Sequence, residues 1–122
     1  MDDTKLDDSI ATRVDRVDDD TIVLSVGGVI DLATAAELQD AMNVAQGGAP
    51  RSLVVDLTEV SFMSSAGLAI LADANPAMNT GRRFAVVANN AFILRLLEIT
   101  KLADVLEVYP TLESARAAMR RY

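Results

Sequence analysis

The stretch FMSSAGLAIL, Phe62 to Leu71, places two hydroxyls and a glycine where an apolar strand hands over to an apolar helix. Serine at such a junction can be a nucleophile, a helix cap or a phosphoacceptor, and the chemistry available decides among these. The chain has no histidine and no cysteine, so a Ser–His–Asp triad has no residue to take the serine proton. A serine–lysine pair would have to draw on Lys5 or Lys101, neither of them near the serines in sequence. The nucleophile elbow G-x-S-x-G is not matched, because Phe62 or Met63 stands where its first glycine belongs. Gly27–Gly28 has neither the dinucleotide-binding spacing nor the lysine of a phosphate loop. Asp31, Asp56 and Glu59 could gather at one edge and hold Mg²⁺, although carboxylates at loop ends more often cap turns or face water. Enzymatic turnover is not expected, and neither a metal nor a cofactor is.

The elements that must position these residues alternate between strands and helices. The 122 residues, 51% of them hydrophobic, suit one compact domain with a substantial core. The acidic stretch through residue 10 reads as a flexible N-terminal arm, and residues 11–122 as the domain. Ala11–Val17 and Thr21–Val26 read as an antiparallel hairpin turning at Asp18–Asp20, with Gly27–Gly28 ending its second strand. Thr34 and Glu37 have the spacing of a capping box, and Leu38, Ala41, Met42 and Ala45 form the apolar stripe of the helix that follows. Ser52–Leu57 and Arg83–Ala88 are continuous apolar runs, as expected of strands covered on both faces, and TEVSFM bridges the first of them to the serine helix. Pro76 should end or kink that helix. Phe92, Leu96 and Ile99 mark a third helix, Leu106–Val108 a last strand, and Thr111 opens a C-terminal helix closed by Arg120–Arg121. The expected fold class is therefore α/β, a mixed sheet of about five strands with about four main helices.

Charge and composition narrow the partners. A net charge of −7 disfavours a phosphate-backbone ligand, so no direct contact with nucleic acid is expected. No apolar run approaches the about 18 residues of a membrane span, and the N-terminus lacks the parts of a signal peptide, which points to the cytoplasm. Because parallel strand ends form the ligand-facing edge of such sheets, Ser64 and Ser65 fall at that edge, at a helix N-terminus. In the plainer reading Ser64 caps the helix and Ser65 merely faces solvent. In the functional reading Ser65, as the first helical residue, is an accessible phosphoacceptor whose base comes from another protein.

DLTEVSFMSSAGLAIL resembles the signature of STAS domains of the anti-sigma factor antagonist type, in which an apolar pair precedes D-S-[ST]-G-[LI] at a helix start. GGVIDLATAAEL is similar to the family's second marker, and ANNAFILRLLEITKLADVLEVYPTLESA to its C-terminal half, so the likeness runs from about Ala11 to Met119. The resemblance implies that Ser65 is phosphorylated, that Gly67 is the family glycine, and that Asp31 is the loop aspartate near the same surface. Ser64 departs from the pattern, standing where the family has aspartate. Asp31, Ser64, Ser65, Gly67, Gly28, Asn89 and Asn90 are the expected partner-binding residues. The implied partner is an anti-sigma factor acting as a serine kinase of the histidine-kinase-like ATPase fold, with a phosphatase as a further candidate. Binding would release a sigma factor, and phosphate on Ser65 would switch the protein off. The alternative is a non-catalytic STAS subunit of a stress-signalling or lipid-transport assembly, with or without phosphorylation.

Overall fold

The structure, a computed structural model, describes residues 10–77 and 81–120; residues 1–9 of the expected N-terminal arm, with Lys5, and Arg121 lie outside these, while Ile10 begins the first strand. Five strands, β1 (Ile10–Arg16), β2 (Thr21–Ile30), β3 (Ser52–Met63), β4 (Arg83–Val87) and β5 (Glu107–Tyr109), form one sheet in the order β1-β2-β3-β4-β5. The β1–β2 hairpin is antiparallel and every other pair is parallel. The helices α1 (Ala35–Gly47), α2 (Ser65–Ala77) and α3 (Ala91–Ile99) connect the parallel strands, and α4 (Leu112–Met119) ends the described chain. β3 is central and β4 is flanked on both sides, as their uninterrupted apolar runs require.

The larger core cluster joins Leu24, Ile30, Val55 and Leu57 of the sheet to Leu38 and Met42 of α1, Leu71 of α2, and Ile93 and Leu97 of α3. On the other face Val23, Val54, Ala85 and Val87 pack with Ala115 and Met119. The Arg83 guanidinium pairs with Glu107 and donates to the Ala118 carbonyl at 2.9 Å, tying β4, β5 and α4 together. The phenol of Tyr109 donates to the same Glu107, and burial first, then that bond, raises its pKa.

Three local expectations change. β2 does not stop at Gly27–Gly28 but continues to Ile30, and β3 continues through TEVSFM to Met63. Two register shifts, between Ser25 and Gly27 and between Gly28 and Val29, let 12 residues of β3 run beside 10 of β2. The glycines belong to this irregular ladder: Gly28 has φ 101, and a Cβ on Gly27 would stand 3.0 Å from the Cβ of Glu59. Thr34 precedes α1, but its side chain makes no cap bond, because its hydroxyl is already used by the preceding turn. The box forms instead at α4, where Thr111 and Ser114 bond reciprocally. On α3 the buried residues are Ile93 and Leu97, whereas Phe92 and Ile99 are exposed.

Candidate functional site

The long β3 strand sets the site. Its last residues pair Phe62 with Val29 and Met63 with Ile30, so β2 and β3 end side by side. Ser64 then donates its N–H to the Ile30 carbonyl at 2.8 Å. That carbonyl belongs to the peptide bond leading into Asp31, so a single hydrogen bond holds the starts of the Asp31 and Ser65 segments against each other. The Ser64 carbonyl accepts from Gly67 N at 3.1 Å and Leu68 N at 3.2 Å, which starts α2 and makes Ser65 its first residue.

Ser65 is exposed at this helix N-terminus. Ser64 is different: its Oγ is buried and has no hydrogen-bond partner among the described residues. The expected side-chain cap is therefore not formed, and only the Ser64 backbone takes part in the helix start. Gly67 is buried because α2 crosses the strand ends closely. A Cβ there would lie 2.7 Å from Ile30 Cγ2 and 2.8 Å from Met63 Cγ. Its role in this structure is to let the serine turn sit on the sheet.

Asp31 builds the neighbouring turn. Its Oδ1 accepts from Thr34 N at 3.0 Å, while the Thr34 hydroxyl accepts from Asp31 N at 2.9 Å and donates to the Val29 carbonyl at 2.9 Å. This reciprocal turn projects Leu32, which is 83% exposed. Asn90 caps α3 by accepting from Phe92 N and Ile93 N, and Asn89 donates to the Pro110 carbonyl. β4 ends opposite Asp56, seven residues before β3 ends, so the Asn89–Asn90 corner is set back from the serine turn. Gly28 is also set back, within β2, and lines a groove with Asp56 and Glu59. Among the described residues no three carboxylates gather in a way that could hold a metal ion.

What joins the α3 corner to the serine turn is a pair the sequence reading did not single out. Phe62 and Phe92 are 42% and 44% exposed and stack on each other, so an apolar platform stands three residues before Ser65. The missed signal was Phe62 itself, an aromatic at an outward position next to two serines.

Residues 12–115 match the STAS domain family. The chain belongs to that family. This STAS chain is 37% identical over 98 residues to the anti-sigma-F factor antagonist RsfB of Mycobacterium tuberculosis, with 80% of each chain covered. It is 34% identical over 101 residues to the anti-sigma-B factor antagonist of Listeria monocytogenes, covering 82% of this chain and 89% of the relative. The crystal structure of an anti-sigma factor antagonist from Mycobacterium paratuberculosis superposes with a TM-score of 0.88 at 38% identity, covering 93% of this chain and 96% of that one. Among the described residues no helix is long and apolar enough to cross a membrane.

Proposed function

We propose that this STAS domain is an anti-sigma factor antagonist that docks an anti-sigma factor over the Ser65 end of the sheet and thereby frees a sigma factor. The names carried by its relatives support the class of partner. The observation that carries the switch is an exposed Ser65 hydroxyl heading α2, with the Asp31 turn fastened to its base by the Ser64–Ile30 bond. The serine needs no resident base because the partner is its kinase. Ser65 Oγ attacks the γ-phosphorus of the partner's ATP·Mg²⁺, the bond to the β–γ bridging oxygen breaks, ADP leaves, and the hydroxyl proton passes to a base of the kinase.

The product carries about −1.5 to −2 charges at neutral pH. It is tolerated by its own helix, whose N-terminal end favours negative charge, and it is unfavourable for a partner seated on the adjacent Phe62–Phe92 platform. The switch is thus local charge and bulk on a binding face, with the fold unchanged.

Phosphopeptide mapping after incubation with the cognate anti-sigma factor and ATP·Mg²⁺ tests this. Phosphate is expected on Ser65, absent from Ser65→Ala, and the Ser65→Ala protein should still bind. Phosphate confined to Ser64, or on neither serine although the anti-sigma factor binds, would remove the switch. The Ser64 hydroxyl in place of the family aspartate favours that second reading, a STAS interaction subunit that binds without being phosphorylated, and the same mapping separates the two.

A further inference from the structure

The two edges of the sheet are built differently. β5 is three residues long and runs into Pro110, so it offers little to pair with. β1 is seven residues long, pairs with β2 in unbroken register, and contains no proline and no lysine. Among the described residues no strand pairs with its outer side. Val17 N donates to the Thr21 carbonyl, so in this hairpin the odd-numbered residues of β1 direct their N–H and C=O groups at β2. Thr12, Val14 and Arg16 consequently direct theirs outward.

We infer that this edge is a self-complementary surface, and that two copies of the chain pair β1 with β1 antiparallel about a two-fold axis at Val14. That register makes Val14 face Val14 and Thr12 face Arg16 of the second copy, all at outward hydrogen-bonding positions, giving about six backbone bonds. It sets Arg13 directly opposite Asp15 of the second copy, twice, at the non-hydrogen-bonded positions where side chains come closest. Within one chain Arg13 Nε already meets Asp15 Oδ2 at 2.7 Å, so pairing closes two ion pairs into an alternating ring of four charges. A two-fold shifted by one residue would oppose Arg13 to Arg13 or Asp15 to Asp15.

The helix side of the edge is complementary under the same axis. A groove of about 380 Å³ lies between β1 and α1, lined by Ile10, Val14, Glu37, Asp40 and Val44 among others, with Val44 63% exposed. Arg16 reaches the Gly48 carbonyl at the C-terminal end of α1, whereas Glu37 and Asp40 lie in its N-terminal half. Reversing direction across the axis turns the acidic half of each α1 toward Arg16 of the other copy, with the exposed valines nearer the centre. The Ser65 surface is at strand ends, away from this edge, so each copy keeps it available.

Sedimentation equilibrium of the full chain at physiological salt should show a reversible dimer between about 10 µM and 1 mM, the range suited to a small interface. Arg13→Asp and Asp15→Arg should each raise Kd about tenfold, and the double swap should return it to within about threefold of the parent. Net charge alone gives a different pattern, because Arg13→Asp makes the copies more negative and Asp15→Arg less so, and only local pairing weakens both. Thr12→Pro removes an outward N–H and none that bonds β2, so it should abolish the dimer with unfolding temperature kept. A monomer up to 1 mM, a dimer whose Kd the single swaps leave unchanged, or a double swap without recovery would each overturn the assignment.

Discussion

The ring of Phe62, next to last in β3, stacks on the ring of Phe92 in the first turn of α3, with centroids 5.7 Å apart and planes at 21°. Each ring leaves more than two-fifths of its residue surface in water. Stacking on a surface is a small stabilisation, and two adjacent exposed rings are more informative as a docking platform. A double-mutant cycle of Phe62→Ala and Phe92→Ala, read by urea unfolding, should give a coupling of about 0.5–1.5 kcal/mol. Affinity for the anti-sigma factor should fall at least tenfold in either single variant, which titration calorimetry would measure. An unchanged affinity would take the platform out of the interface.

The buried hydroxyl of Ser64 has the opposite thermodynamic sense from a cap. A cap replaced by alanine costs about 0.5–2 kcal/mol, whereas deleting an unpaired buried polar atom relieves its desolvation. Ser64→Ala should therefore leave stability unchanged or raise it by up to about 1 kcal/mol in denaturant unfolding. A loss of about 1 kcal/mol or more would show that the hydroxyl finds a partner in solution.

Gly67 is the tightest point between α2 and the strand ends. A methyl there overlaps both Ile30 Cγ2 and Met63 Cγ. Because Ile30 and Met63 are themselves core residues, neither can move without disturbing its neighbours. Gly67→Ala should cost about 1–3 kcal/mol despite alanine's better helix propensity. Chemical denaturation measures it, and a gain in stability would mean that the core gives way more easily than its packing implies.

How much of this was legible beforehand differs from residue to residue. The strands at Ser52 and Arg83 were readable because burial on both faces leaves an unbroken apolar run, and the α1 stripe at Leu38, Ala41, Met42 and Ala45 because burial of one helix face imposes a period on the sequence. The continuation of β2 through Gly27–Gly28 was not. Paired glycines usually break a strand, and only the irregular pairing with Glu59 and Val60 across the ladder explains them. The unpaired Ser64 Oγ was equally hidden, since Ser-x-x before an apolar run reads as a cap whether or not the side chain turns toward the N–H groups. Phe92, Leu96 and Ile99 have helical spacing, which says that they share a face and leaves open whether it is the buried one.

Asp18 gives a pH dependence with a definite sign. Its carboxylate accepts from Asp20 N at 2.8 Å in the β1–β2 turn, and that bond, more than the Arg116 charge at 3.9 Å, holds its pKa below the ordinary 3.8. A depressed folded pKa stabilises the fold above the unfolded value, and the contribution is lost as pH falls through the folded one. Asp18→Asn keeps an oxygen for the Asp20 N–H but does not titrate. The stability difference between parent and variant should be constant at neutral pH and shrink below about pH 4 in acid-unfolding curves. A difference that stays constant down to pH 2 would assign the acid sensitivity elsewhere.

Asp31 can be separated into a turn residue and a charge. Its Oδ1 accepts the Thr34 N–H at 3.0 Å, a bond that shapes the loop between β2 and α1 and that an amide oxygen makes equally well. Asp31→Asn should therefore unfold with the parent, whereas Asp31→Ala leaves the N–H of Thr34, a buried residue, with only its 3.2 Å bond to the residue-31 carbonyl and should cost about 0.5–2 kcal/mol. If the carboxylate charge is read by the partner, Asp31→Asn will lose affinity for the anti-sigma factor with stability intact, and the loss will shrink as salt is raised. Equal binding by parent and Asp31→Asn, with weaker binding only in Asp31→Ala, would confine Asp31 to shaping the turn and leave recognition to Ser65 and the phenylalanine platform.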